Sequence, residues 1–199
     1  SNFTIQSTGT GYIQFPLGAS SGFGDQIFTN TVFDRIKTYG DTDGLYIGRN
    51  RTGSFNAYNC QFTSEYDGIS IFVGTGNFYN CNIYSYGNSV YDNGFSRSMI
   101  LNSSGELNVY GGEILSIQRG IDNATSSTIG VGIAGFGKGI INLNNVSIYT
   151  YSTGGGALYD LSSDTNVFGG GGNTGTIIVS NTNYDTQKLN IGNGTIIDK

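Results

Sequence analysis

Residues 55–64 read FNAYNCQFTS, and residues 76–86 read GNFYNCNIYSY. Each carries Asn-Cys, then a polar residue, then an apolar one, and the two stretches begin 21 residues apart. A doubled Asn-Cys is open to three readings: two metal-binding thiols, a disulfide, or one step of a repeating structure met twice. The first is weak. Two cysteines in a chain without histidine do not make the usual four-ligand zinc site, so no metal is expected.

The repeat reading strengthens when the pattern is extended. With anchors at Asn59 and Asn80, further anchors fall at Asn30, Gly111, Asn145 and Asn181. Six residues before each stands a glycine: Gly24, Gly53, Gly74, Gly105, Gly139 and Gly175. Two residues before come Phe28, Ala57, Phe78, Val109, Leu143 and Val179, and three after come Phe33, Phe62, Ile83, Ile114, Ile148 and Tyr184. Asp198 opens a seventh unit, with Gly192 and Ile196 at the matching offsets. The anchors are spaced by 29, 21, 31, 34 and 36 residues, which is the range of solenoids and arrays with insertions confined to loops.

Within a unit the period is that of β-structure. Apolar residues alternate before the anchor, slip by one residue at it, and alternate again at +1, +3 and +5. One extra residue flips the face that points inward, so the slip marks a corner between two short strands. A third strand per unit is expected in DGLYIG (43–48), DGISIF (67–72), NSVYDN (88–93), RGIDNA (119–124) and GALYDL (156–161). Coils of three short strands stacked about 4.8 Å apart make a right-handed parallel β-helix of about six to seven coils. A propeller blade needs four antiparallel strands, and a jelly roll shows no such repeat. The expectation is an all-β single domain over 1–199, with 1–23 as an N-terminal cap or lead-in and 24–198 as coils, able to be a piece of a longer protein.

Composition agrees. The chain has 33 glycines, one proline and 37 % hydrophobic residues, and only 12 % are charged. The strand formers Ile, Val, Tyr, Phe and Thr outnumber the helix formers. A net charge of −5 with no basic cluster argues against nucleic acid as a partner. No apolar run approaches the roughly 18 residues of a membrane span.

Stacking gives the repeated positions meanings. Asn30, Asn59, Asn80, Asn145 and Asn181 form a structural ladder, their amides bonding along the stack and to corner backbone. Cys60 and Cys81 fall together at the small inward +1 site, which Thr31, Gly112, Val146 and Thr182 occupy elsewhere. Stacked side chains are poorly aimed for a bond, so a buried pair of thiols is favoured, with a strained disulfide as the alternative. Outward positions +4 and +6 give an apolar-aromatic strip of Tyr84, Tyr86, Leu115, Ile117, Tyr149 and Tyr151. Such a patch marks an interface or a ligand groove. It is either buried between subunits of a homotrimer, used to stack on sugar rings, or covered by a long loop such as residues 121–138.

Chemistry is constrained by what is missing. Without histidine, Ser-His-Asp and Cys-His mechanisms are excluded. Glycoside hydrolysis needs two carboxyl groups about 5–9.5 Å apart. The candidates are Glu65, Asp67, Asp92, Glu113, Asp122 and Asp160, and Asp92, Asp122 and Asp160 recur where a turn also favours Asp. No cofactor is expected.

The coil pattern of GNFYNCNIYS (76–85), GIINLNNVSIYT (139–150) and GTIIVSNTNY (175–184) resembles the pectate-lyase-like β-helix superfamily, in particular the β-helical domains of bacteriophage tailspikes and tail fibres. The resemblance spans roughly residues 24–198. It implies a homotrimer in a virion tail appendage, or on an extracellular surface, that binds or cleaves bacterial surface polysaccharide. The calcium aspartates and catalytic arginine of pectate lyases are not recognisable here. The implied function is therefore a receptor-binding module of a tail spike or fibre, with a polysaccharide depolymerase or a bacterial surface adhesin as alternatives.

Overall fold

The computed structural model describes residues 3–6, 13–14, 26–36, 45–47, 54–64, 69–71, 74–88, 95–103, 105–119, 129–153, 165–169, 175–186 and 194–199. Among them there is no α-helix. Strands β1 (Phe3–Gln6) and β2 (Ile13–Gln14) come first. Then follow β3 (Gln26–Thr29), β4 (Thr31–Ile36) and β5 (Leu45–Ile47), and β6 (Ser54–Tyr58), β7 (Gln61–Ser64) and β8 (Ile69–Ile71). Two strands run through their corners unbroken: β9 (Thr75–Asn88), followed by β10 (Phe95–Ser103), and β11 (Glu106–Arg119), followed by β12 (Ile129–Gly137). The last are β13 (Ile140–Asn144), β14 (Ser147–Thr153), β15 (Thr165–Gly169), β16 (Thr176–Ser180) and β17 (Thr195–Asp198).

These strands form two sheets, and every pairing among the described residues is parallel. The larger has 11 strands and follows β1-β4-β7-β9-β11-β13-β16-β17, with β3, β6 and β14 pairing alongside. The smaller has six, in the order β15-β12-β10-β8-β5-β2. In the larger sheet Phe28 pairs with Ala57, Ala57 with Phe78, Phe78 with Val109, Val109 with Leu143, and Leu143 with Val179. Those steps reproduce the anchor spacings read from the sequence. Between successive rungs the chain visits the smaller sheet, so a unit contributes a strand before its corner, a strand after it, and one in the second sheet.

Period-2 alternation decides what is inside. Before the corner, Phe55, Ala57, Phe78, Leu107, Val109, Leu143 and Val179 are buried; after it, Phe33, Phe62, Ile83, Ile114 and Ile148 are. Ile69 and Ile133 of the smaller sheet join the same core cluster, so one core lies between the sheets. Aromatic rings fill its early rungs. Phe33 stacks on Phe62 with centroids 4.5 Å apart, and Phe78 packs at 5.7 Å from both Phe55 and Phe62.

The structure corrects two expectations. The +5 position is inward but not apolar, since Ser85, Ser116 and Thr150 are buried there. Alternation fixes the face a residue points to, not its chemistry. The smaller sheet takes Phe95–Ser103, Ile129–Gly137 and Thr165–Gly169 from three units, while NSVYDN, RGIDNA and GALYDL, apart from Asn88 and Arg119, lie outside the described residues. Residues 129–137, read as part of a covering loop, are strand β12. The stack also includes part of the lead-in, because β1 pairs with β4 and β2 with β5.

Candidate ligand-binding faces

The outward faces are set by the corners. Asn30, Asn59, Asn80, Asn145 and Asn181 have φ between 47° and 57°, and Gly111 has φ 70°. In this left-handed region the Cβ of an L-residue crowds the carbonyl oxygen; Asn is eased there by local hydrogen bonding and Gly has no Cβ. Each corner is tied to the next rung. The Asn30 N–H donates to the Tyr58 carbonyl at 2.9 Å, Asn59 to Tyr79 at 2.8 Å and Asn145 to Ser180 at 3.0 Å. Among the anchor amides, Asn181 Nδ2 donates to Asn145 Oδ1 at 3.0 Å.

A longer run of amide bonds stands three residues before the corner, a row that sequence reasoning missed. Asn142 Nδ2 donates to Asn108 Oδ1 at 2.6 Å, Asn108 to Asn77 at 2.9 Å, and Asn77 to Asn56 at 2.8 Å. Asn56 Nδ2 closes the run on Ser54 Oγ at 2.8 Å. All four amides point the same way. Ile27 and Ile178 occupy the rungs at either end.

Beside that row, one residue before the corner, the tyrosines stack. Tyr58 and Tyr79 have centroids 4.7 Å apart and planes within 5°, and Tyr79 and Tyr110 are 5.0 Å apart within 11°. The centroid spacing matches the strand spacing, so the rings lie face to face along the stack. Tyr58 and Tyr110 remain exposed at 36 % and 38 %. Burial, followed by the neighbouring Tyr58 and Tyr110, raises the Tyr79 phenol above its usual range. The signal for both rows was Asn at −3 and Tyr at −1 in consecutive units of the repeat.

Past the corner, the register brings Tyr84, Leu115 and Tyr149 onto neighbouring rungs, and likewise Tyr86, Ile117 and Tyr151. Tyr149 is exposed, while Tyr84, Leu115 and Ile117 are half-buried. The side chains of Tyr86 and Tyr151 lie outside the described residues.

Cys60 and Cys81 are free thiols, buried on adjacent rungs. Cys60 Sγ–H donates to the Tyr58 carbonyl at 3.3 Å, and Cys81 Sγ–H reaches the Tyr79 and Ala57 carbonyls at 3.4 and 3.5 Å. A hydrogen bond from Cys81 lowers the Cys60 thiol against the opposing effect of burial. The same bond and burial push Cys81 up. The next rung places Gly112 at this position, with φ 90°. A Cβ there would press into the Cys81 backbone carbonyl.

Of the carboxylate candidates, Glu65, Asp67, Asp92, Asp122 and Asp160 lie outside the described residues. Glu113 is half-buried, and its neighbours in the ladder are Asn82 and Ser147 rather than a second carboxylate. Among the described residues no group of three His, Cys, Asp or Glu is placed to hold a metal ion. No described helix is long and apolar enough to cross a membrane. No protein-family model, curated protein or solved structure matches this chain.

Proposed function

We propose that the chain is a right-handed parallel β-helix of about six to seven coils, and that it is a receptor-binding module of a viral tail spike or fibre that grips cell-surface polysaccharide. The helical reading is supported by the all-parallel pairing, the left-handed corner in each unit and the visit to the smaller sheet between rungs. The observation that carries the binding reading is the outward face before the corners. Its amide row and tyrosine stack are uncharged, hydrogen-bonded or stacked from rung to rung, and periodic. Polysaccharides are themselves periodic, rich in hydroxyls and bounded by C–H faces, and such a face answers both properties. A chain of net charge −5 also disfavours an acidic partner.

The strip past the corner has a different role in this proposal. Tyr84, Leu115, Ile117 and Tyr149 present apolar surface in a block rather than singly, which fits burial between the subunits of a homotrimer. Glu113, the carboxylate candidate among the described residues, faces an amide and a hydroxyl across its rungs and so lends a depolymerase reading no carboxylate pair.

A printed array of purified bacterial capsular and O-antigen polysaccharides, probed with the labelled chain, tests the binding reading. Retention on a subset of the polysaccharides is expected, without new reducing ends after prolonged incubation. No retention on any polysaccharide overturns it, and release of new reducing ends replaces binding with cleavage.

A further inference from the structure

The tyrosine stack uses up most of its own ring faces. Tyr79 is covered on both sides, by Tyr58 and by Tyr110. A sugar stacks on an aromatic through the ring face, so only the two outer faces of this stack are available to one. They differ. The outer face of Tyr58 looks toward the rung of Thr29, whose neighbour in the amide row is Ile27, 67 % exposed. The outer face of Tyr110 looks toward the rung of Asn144, whose neighbour in the amide row is Asn142.

The Tyr110 end is therefore a shelf. Along this column the large ring of Tyr110 gives way to Asn144 and then Ser180, so the place of a fourth ring in the stack holds no ring. Its height is one strand spacing, about 4.8 Å, which matches the thickness of a ring laid on a ring. Asn144 and Asn145 are exposed along its floor.

The amide row ends at the same rung. Asn142 Nδ2 is engaged by Asn108 at 2.6 Å and by Glu106 Oε1 at 3.4 Å, while the next rung offers Ile178, which has no donor in its side chain. Asn142 Oδ1 is thus the terminal acceptor of four aligned amides. Each amide that donates makes its own carbonyl a better acceptor, so the run polarises this oxygen. An aromatic face, a strengthened acceptor and exposed amides meet at one rung, and none of the side chains that form the shelf is charged.

We propose that the shelf formed by Tyr110, Asn142 and Asn144 is the primary sugar subsite, taking an uncharged pyranose ring stacked on Tyr110 with a hydroxyl donating to Asn142 Oδ1. The inference rests on the polysaccharide-binding reading and locates it. The Tyr58 end is not the site, since it sets an aliphatic side chain where hydroxyls need partners.

The test uses the same polysaccharide array with four variants of the full chain, each checked for an unchanged circular dichroism spectrum. Tyr110→Ala is expected to weaken retention roughly tenfold or more, as loss of a central aromatic anchor does. Tyr110→Phe, which keeps the ring, restores it. Asn144→Ala weakens retention several-fold, and Tyr58→Ala, two rungs away, weakens it clearly less than Tyr110→Ala does. Retention by the native chain that survives Tyr110→Ala overturns the shelf alone and leaves polysaccharide binding standing. Equal losses in Tyr110→Ala and Tyr58→Ala also overturn it, because the whole stack would then be the contact. No retention by the native chain overturns both proposals.

Discussion

At the scale of single residues, the corners explain why Asn recurs. Five asparagines hold φ near +50°, where a β-branched residue is a genuine outlier. Replacing Asn59 with Val is expected to cost about 2 kcal/mol, while Asn59→Gly stays within about 1 kcal/mol, both measured by urea unfolding. Equal costs would mean that the Asn59 side chain, not its backbone, matters most. The glycine corner divides more sharply. At Gly111 a Cβ meets the end of the Asn80 side chain, which can swing away, and the φ of 70° suits asparagine. At Gly112 a Cβ meets the Cys81 backbone, which cannot move without shifting its rung. Gly111→Asn should therefore fold with nearly native stability, and Gly112→Ala should lose about 3 kcal/mol or more. The cysteines belong to this scale too. As buried free thiols, Cys60 and Cys81 should both take up iodoacetamide in denaturant without any reductant, read as two added groups by mass spectrometry, and neither in the folded state.

At the scale of strands and rows, the amide row and the tyrosine stack are ladders whose members support one another. Asn108 is 6 % exposed and sits mid-row, so Asn108→Ala leaves Asn77 Oδ1 without its donor and takes one acceptor from Asn142 Nδ2. A loss of roughly 1–3 kcal/mol is expected in urea unfolding, larger than for Asn56→Ala at the end of the row. For the stack, the raised Tyr79 phenol fixes the sign of a pH effect. The folded state holds this proton more tightly than the unfolded chain does. The resulting stability is whole below the unfolded tyrosine range near pH 10 and is lost as pH climbs through the folded value. Tyr79→Phe should flatten that alkaline loss, followed by thermal unfolding between pH 9 and 11. These rows were written in the sequence as Asn at −3 in four consecutive units and Tyr at −1 in three, yet outward polar positions give no alternation signal. The inward glycine and apolar columns were legible because burial demands one residue class at each step. Second-sheet strands were legible at Leu45–Ile47 and Ile69–Ile71, whereas Phe95–Ser103, Ile129–Gly137 and Thr165–Gly169 were not read, because a short apolar run does not by itself say where the chain rejoins the stack.

At the scale of the molecule, the parallel stack makes each rung depend on its two neighbours and on little else. The spacing of anchors revealed this arrangement, but the size of the coupling comes from side chains that touch across rungs. In the early rungs that coupling is aromatic: Phe33 on Phe62, Phe55 on Phe78, and Phe62 on Phe78. In the later rungs Leu143 and Val179 take the column of Phe78 with smaller side chains. Stability in such an array is close to a sum of rung terms and nearest-neighbour terms, so damage stays local. Val179→Ala, near one end, should cost about 1–2 kcal/mol and speed amide exchange in Thr176–Ser180 and Thr195–Asp198 while leaving Ser54–Tyr58 protected. Phe78→Ala removes a fully buried ring that joins two rungs, at about 3–5 kcal/mol. It should uncouple the units on either side, so that the denaturant transition broadens or splits. Hydrogen exchange with mass spectrometry reads both variants strand by strand. If Val179→Ala raised exchange evenly from Ser54 to Asp198, the chain would be one cooperative globule, and the rung-by-rung account would fail.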